Sequence, residues 1–163
     1  MEAIVAVFSD WGIGSEGTQQ IVLKADRRHF RELTAGATVL VGRRTLQDFP
    51  NGEPLKGRRN LVLSRQEIAI PDAEVVHSAQ EAAAAAAESG RCLVIGGASV
   101  YQQMMPYIDK IYVTKIERMP DSDRFFPNLD ASSEWRCAEE GELQQEEGIP
   151  FRFCTYSRTV MKE

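Results

Sequence analysis

RCLVIGGASVYQQMMP (residues 91–106) joins a short apolar run, two consecutive glycines and the small-residue opening of a helical pattern. A short apolar run bounded by turn residues reads as a strand covered on both faces, as in a largely parallel sheet. The glycines fall where that strand hands over to a helix. In an open α/β sheet this is where ligands bind, because helix N-termini offer unpaired N–H groups and a positive dipole. Gly96 and Gly97 let backbone amides approach a phosphate group with no Cβ in the way. A glycine pair alone more often marks a tight turn.

Similar runs recur outward from this point, at 2–8, 37–42, 60–64 and 73–76 as well as 91–96, and between them lie helical patterns at 25–35, 43–49, 78–89 and 98–105. In the third helix Ser78 and Glu81 form a capping box, six alanines follow, and Gly90 suits the left-handed position after the helix. The alternation predicts a doubly wound α/β fold with a mainly parallel central sheet and helices on both faces. The tail differs: 110–117, 134–140 and 150–158 read as strands without intervening helices, joined across GELQQEEG, which predicts a C-terminal antiparallel hairpin.

At 163 residues the chain fits one domain, 1–163. Its 43% hydrophobic and 26% charged content is that of a soluble globular protein, and a net charge of −5 disfavours a general nucleic-acid or membrane-surface binder. Phosphate binding must then be local. The start, MEAIVAVFSDWG, has an acidic second residue and too short an apolar stretch for a signal peptide, which predicts a cytoplasmic protein. Cys92, Cys137 and Cys154 are odd in number and lack C-x-x-C spacing, so they read as reduced packing residues and no metal site is expected.

Two more strand ends carry anion-binding features. Gly42 leads into Arg43, Arg44 and Thr45 in a first helical turn, and Ser64 and Arg65 follow the strand at 60–64. Cations there oppose the helix dipole, so two together invite an anion. In VLKADRRHFREL (22–33), Asp26, Phe30 and Leu33 share one helical face. A carboxylate on an apolar stripe is either a dipole partner near a helix start or, in a cleft, a group of raised pKa able to bond a heterocycle. Lys56, Arg58 and Arg59 cluster before a strand; surface solubility explains Lys56 and Arg59, while one planar fork suits a substrate carboxylate.

Taken together, these stretches resemble dihydrofolate reductase over nearly the whole chain: AIVAV…GIG, ADRRHF, VLVGRRTLQDFP, PLKGRRNLVLS, LVIGGASVYQQMMP and IYVTKI…DRFFP. The resemblance implies that NADPH reduces 7,8-dihydrofolate, with hydride transfer to C6 and protonation at N5. It assigns Asp26 to the pterin's N3 and 2-amino group and Thr114 to the hydroxyl beside it, both catalytic. Ile4, Val5 and Ile95 line the pterin pocket, Phe30 packs on the pterin, and Arg58 holds the α-carboxylate of the glutamate tail. Ala6, Ile13, Gly14, Gly42, Arg43, Arg44, Thr45, Ser64, Arg65, Ile95, Gly96, Gly97, Ala98, Ser99, Val100 and Tyr101 fall to the cofactor, with the arginines and Ser64 favouring NADPH over NADH and Gly96–Gly97 joined by a cis peptide. It further implies a monomer that binds dihydrofolate and antifolate inhibitors, and neither nucleic acid nor membrane.

The chain departs from the family pattern at three points. In the mobile loop 9–22 a usual Pro-Trp pair is Gln20-Ile21, Arg27 stands where an apolar substrate contact is usual, and Lys24 replaces a common proline. His29 is assigned to the helix face away from Asp26 and His77 to the residue before a capping serine, both with surface roles. Two other readings are a riboflavin-pathway pyrimidine reductase of the same fold, which needs a phosphate site in place of Asp26 and Arg58, and a non-catalytic NADPH- or pterin-binding module.

Overall fold

The computed structural model describes residues 1–159. In chain order its elements are β1 (Glu2–Val7), β2 (Gly12–Gly14), α1 (Lys24–Thr34), β3 (Thr38–Gly42), α2 (Arg43–Gln47), β4 (Arg59–Leu63), β5 (Glu74–Val76), α3 (Ala79–Ala87), β6 (Cys92–Gly96), α4 (Ala98–Met104), β7 (Lys110–Ile116), β8 (Arg124–Phe125), β9 (Trp135–Glu140), β10 (Gln144–Glu146) and β11 (Ile149–Arg158). Every predicted strand and helix forms, with ends within two residues of expectation. The chain divides into two compact units: Met1–Ala3 with Arg31–Ile108, and Ile4–Phe30 with the residues from Asp109 onward.

In the first unit the strand order is β1-β6-β3-β4-β5. All its pairs are parallel: Glu2 lies opposite Leu93, Leu40 opposite Val94 and Leu61, and Val62 opposite Val75. α2 connects β3 to β4 and α3 connects β5 to β6. Val39, Leu40, Val41, Leu61, Val62, Leu93 and Val94 are fully buried, which explains why these strands read as unbroken apolar runs. The capping box on α3 forms with one variation. Ser78 Oγ accepts from Glu81 N at 3.0 Å, but the Glu81 carboxylate accepts from His77 N, one residue before the cap. Gly90 does not take the left-handed conformation expected of it, because the helix already ends at Ala87 with Glu88 as C-cap.

In the second unit the order is β10-β11-β7-β1. β11 runs antiparallel to β7, with Phe153 opposite Thr114 and Arg152 opposite Lys115. The expected hairpin of 134–140 with 150–158 is present, as β9 on β11. The joining segment is not all loop, however: β10 pairs β11 through a turn at Glu147 and Gly148, both at positive φ (51° and 79°). β2 and β8, absent from the expectation, form a separate antiparallel pair. Phe8, Leu23, Ile116 and Phe151 make the core here, with Ile21, Ala25 and Phe153 packed on it.

Cys92 and Cys154 are buried packing residues as expected, whereas Cys137 is exposed on β9 and its thiol donates to the Glu139 carbonyl. Among the described residues no helix is long and apolar enough to cross a membrane.

Candidate active site

Asp26 sits in the first turn of α1, half-buried, and accepts a 2.6 Å hydrogen bond from Thr114 Oγ1 in the middle of β7. Thr114 is 1% exposed, so the bond is drawn from inside the core. Burial pushes the Asp26 carboxyl above its ordinary range; the Thr114 hydroxyl and the nearby His29 pull it back, and Glu146 pushes it further up. The same unit holds Ile4 and Val5, buried on β1, the half-buried Ala6 beside them, Ile13 and Gly14 on β2, and Phe30 one turn along α1 from Asp26.

The start of α1 is held in a way the sequence did not disclose. Both carboxylate oxygens of Glu146, from β10, accept from the helix: Oε2 from Lys24 N at 2.8 Å and Oε1 from Ala25 N at 2.9 Å. A proline at 24 would have no N–H to offer. Lysine there adds a donor, and Glu146 takes it while placing negative charge at the positive end of the helix.

His29 is not on the face away from Asp26. Three residues advance a helix by about 300°, so the two lie about 60° apart. The imidazole stacks on Phe153 with ring centroids 4.0 Å apart and planes 19° from parallel. Arg27, by contrast, is exposed.

Loop 9–22 is tied to residues 118–123. Glu16 N donates to Asp123 Oδ2 at 3.0 Å, Asp123 N to the Gly14 carbonyl at 2.9 Å, and Gln20 Nε2 to the Asp121 carbonyl at 2.6 Å and Ser122 Oγ at 3.2 Å. The Gln20-Ile21 departure thus replaces a ring pair with a side-chain latch and an apolar contact to the core.

The first unit carries the residues expected at the cofactor. The Gly96–Gly97 peptide is cis. A Cβ on Gly97 would meet Thr45 Oγ1 at 2.9 Å, and one on Gly42 would meet Val100 Cγ2 at 2.9 Å, so a side chain at either position would force its neighbour to move. Gly42 and Gly97 are the N-caps of α2 and α4, and neither helix has a side-chain cap, which leaves first-turn N–H groups to an anion. Arg43 and Arg44 occupy the first turn of α2, where Arg43 Nη1 also donates to Gln66 Oε1. Ser64, at the end of β4, is held by Val76 through its N–H and by the His77 ring at its carbonyl, 2.8 Å away; Arg65 is exposed beside it. His77 is therefore a brace for Ser64. On α4, Ala98 is half-buried, Ser99 is exposed and its Oγ accepts from Gln103, and Val100 and Tyr101 are buried; Ile95 packs on Val41, Leu46 and Val62. Donor groups, cations and glycines of this kind fit a dinucleotide bearing an extra phosphate.

Arg58 and Arg59 separate clearly. Arg59 forks onto Glu74 (2.5 and 2.8 Å) and reaches the Ala85 carbonyl and Ser89 Oγ, clasping β4, β5 and the end of α3. Arg58 Nε donates to Thr34 Oγ1 at 3.0 Å and Nη1 to the Lys56 carbonyl at 2.5 Å, which orients the guanidinium while leaving Nη2 outside these bonds.

A desolvated carboxylate in one unit, and in the other glycines, cations and helix starts that fit a dinucleotide's phosphates, are each features of dinucleotide-dependent α/β oxidoreductases. Residues 1–158 match the family model described as Dihydrofolate reductase, and the chain belongs to that family. It is 39% identical to the dihydrofolate reductase of Mycobacterium tuberculosis over 153 residues, covering 90% of this chain and 91% of that one. It is 33% identical to the Neisseria gonorrhoeae dihydrofolate reductase over 155 residues, covering 94% of each. The solved dihydrofolate reductase of Enterococcus faecalis, complexed with NADP(H) and RAB-propyl, superposes with a TM-score of 0.87 at 29% identity, covering 98% of this chain and 96% of that one.

Proposed function

We propose that this chain catalyses the NADPH-dependent reduction of 7,8-dihydrofolate to 5,6,7,8-tetrahydrofolate. The observation that carries the reading is the Asp26 carboxylate fastened to Thr114 on β7. NADPH supplies the hydride to C6; the rest is done by the chain's own residues.

Asp26 binds the pterin's N3 and 2-amino group, and its negative charge favours a proton at N5, delivered through water. Thr114 holds the carboxylate in the orientation that bond requires. Ile4, Val5 and Phe30 exclude bulk water from the ring, which strengthens the carboxylate's field. Arg58, oriented by Thr34, takes the α-carboxylate of the glutamate tail in a bidentate pair. The first-turn amides after Gly42 and Gly97 bind the pyrophosphate, and Arg43, Arg44, Ser64 and Arg65 bind the 2′-phosphate. Ala6, Ile13, Gly14, Thr45, Ala98, Ser99, Val100 and Tyr101 complete the cofactor site. We further propose that the chain acts as a monomer in the cytoplasm.

The test follows NADPH oxidation with dihydrofolate as substrate, in the wild type and in Asp26→Asn. Turnover in the first and its collapse in the second support the reading. Cofactor binding without turnover in the wild type would make the chain a binding module instead.

A further inference from the structure

We propose that His29 is a positioning residue for proton delivery: stacked on Phe153 and one helical turn beyond Asp26, it sets through its charge the pH range over which Asp26 steers the proton. This rests on the role given to Asp26 above.

The geometry joins four side chains into one run. Thr114 Oγ1 bonds Asp26 at 2.6 Å, Phe153 lies opposite Thr114 in the β7–β11 register, and His29 lies flat on Phe153 with centroids 4.0 Å apart. The stack fixes the imidazole, since its face is held by a residue of the sheet, and the three-residue spacing from Asp26 fixes its side of the helix. A partly buried ring held against the sheet is screened less than one standing free in solvent. The cationic form of His29 favours the ionised form of Asp26.

Other charges bear on the pair. Lys24, Arg28 and Glu32 lie on α1, and Glu146 on β10 acts on Asp26 in the opposite sense to His29. From β7 the same face presents Tyr112, two residues from Thr114. Lys115 and Arg152, the next pair along, face the other side and are bound to Asp130 and Glu140. His29 and Glu146 thus act on Asp26 in opposite senses.

The experiment is a pair of NMR titrations of the full chain without substrate, Asp26 read by its carboxyl carbon and His29 by its ring. Asp26→Asn should lower the pKa of His29, and His29→Phe, which keeps a ring on Phe153, should raise that of Asp26. The two shifts should agree in size, about 0.5–1 unit, because coupling is reciprocal. His29→Arg, a permanent cation, should return Asp26 to near its wild-type titration. In turnover with dihydrofolate, the pH of half-maximal rate should rise in His29→Phe and stay at or below the wild-type value in His29→Arg. Absence of both NMR shifts overturns the proposal, as does a His29→Arg variant that behaves like His29→Phe, which would mean packing and not charge. Reciprocal shifts in a chain that turns over no dihydrofolate would instead remove the reductase reading, and the role in proton delivery with it.

Discussion

Thr114 donates its hydroxyl to Asp26 across 2.6 Å although 88 residues separate them in sequence. The bond fixes one carboxylate oxygen within a site that burial has made costly for charge. Asp26→Asn keeps the Thr114 bond, because the amide oxygen still accepts, and removes the charge alone. Turnover at neutral pH should fall by about 10²–10³, equivalent to about 2.7–4 kcal/mol in the barrier, and recover in part as pH falls and more substrate is protonated in solution. Wild-type turnover in the variant from about pH 5 to 9 would return Asp26 to a helix-dipole role.

The same substitution should stabilise the fold. A carboxyl whose folded pKa is raised binds its proton more tightly when folded, so its contribution to stability declines as pH rises from the unfolded pKa through the folded one. By neutral pH the whole cost of burying the charge is present. The neutral amide of the Asp26→Asn variant does not carry that cost, so its melting temperature should exceed that of the wild type at pH 7, and the gap should close below about pH 4. Thermal melts across pH test this; a variant less stable at pH 7 would mean that the Thr114 bond to the charged carboxylate outweighs desolvation.

Glu146 should show the opposite sign. Bonds from Ala25 N and Lys24 N hold its carboxyl below the ordinary range of a glutamate. A depressed folded pKa gives stability that is present above the unfolded pKa and lost as pH falls through the folded one. Glu146→Gln should therefore melt earlier than the wild type at pH 7, and the gap should narrow as pH falls below the ordinary glutamate range. It should also lower the pKa of Asp26, since a negative neighbour is removed. An unchanged melt at pH 7 would show that water caps α1 as well as Glu146 does.

What the sequence discloses follows how local each feature is. β3, β4 and β6 are legible because every residue of Val39–Val41, Leu61–Val62 and Leu93–Val94 is buried, leaving unbroken apolar runs. β10 is not, because Gln144, Gln145 and Glu146 carry no apolar signal and pair only because Glu147 and Gly148 turn the chain back. β2 is hidden by its two glycines. Asp26 stands out as an acid on an apolar stripe, and Thr114 is identified through the family resemblance. The cap from Glu146 spans 121 residues and the Gln20 latch 101, so neither leaves a local trace. His29 is within reach of the sequence, since helical spacing alone puts it beside Asp26.

Gly97→Ala should abolish tight cofactor binding. The added Cβ would stand 2.9 Å from Thr45 Oγ1, a contact that requires the Thr45 side chain in the first turn of α2, or the start of α4, to move. Both are proposed phosphate-binding ends, so NADPH should bind at least tenfold more weakly while the Asp26–Thr114 bond stays intact. Fluorescence quenching by NADPH measures the first and the Asp26 titration the second. Undiminished affinity would show that the cradle tolerates a side chain and that the phosphates sit elsewhere.

Arg58 should answer to the glutamate tail and to nothing else in the substrate. Its Nε bond to Thr34 and Nη1 bond to the Lys56 carbonyl set the plane of the fork, and Arg59 is removed from contention because Glu74 occupies its own fork. Arg58→Ala deletes a bidentate charge-assisted pair of about 1.5–3 kcal/mol, so dihydrofolate should bind roughly 10–150-fold more weakly. A pterin without glutamate should lose almost nothing. Thr34→Val is the finer probe: Thr34 is fully buried, the change is nearly isosteric, and the charge of Arg58 remains, so tail affinity should fall by less than in Arg58→Ala while the pterin again binds unchanged. If Arg58→Ala weakens both ligands alike, the arginine supports the fold around β4 instead, and the exposed Arg27 on α1 becomes the partner to test for the tail carboxylate.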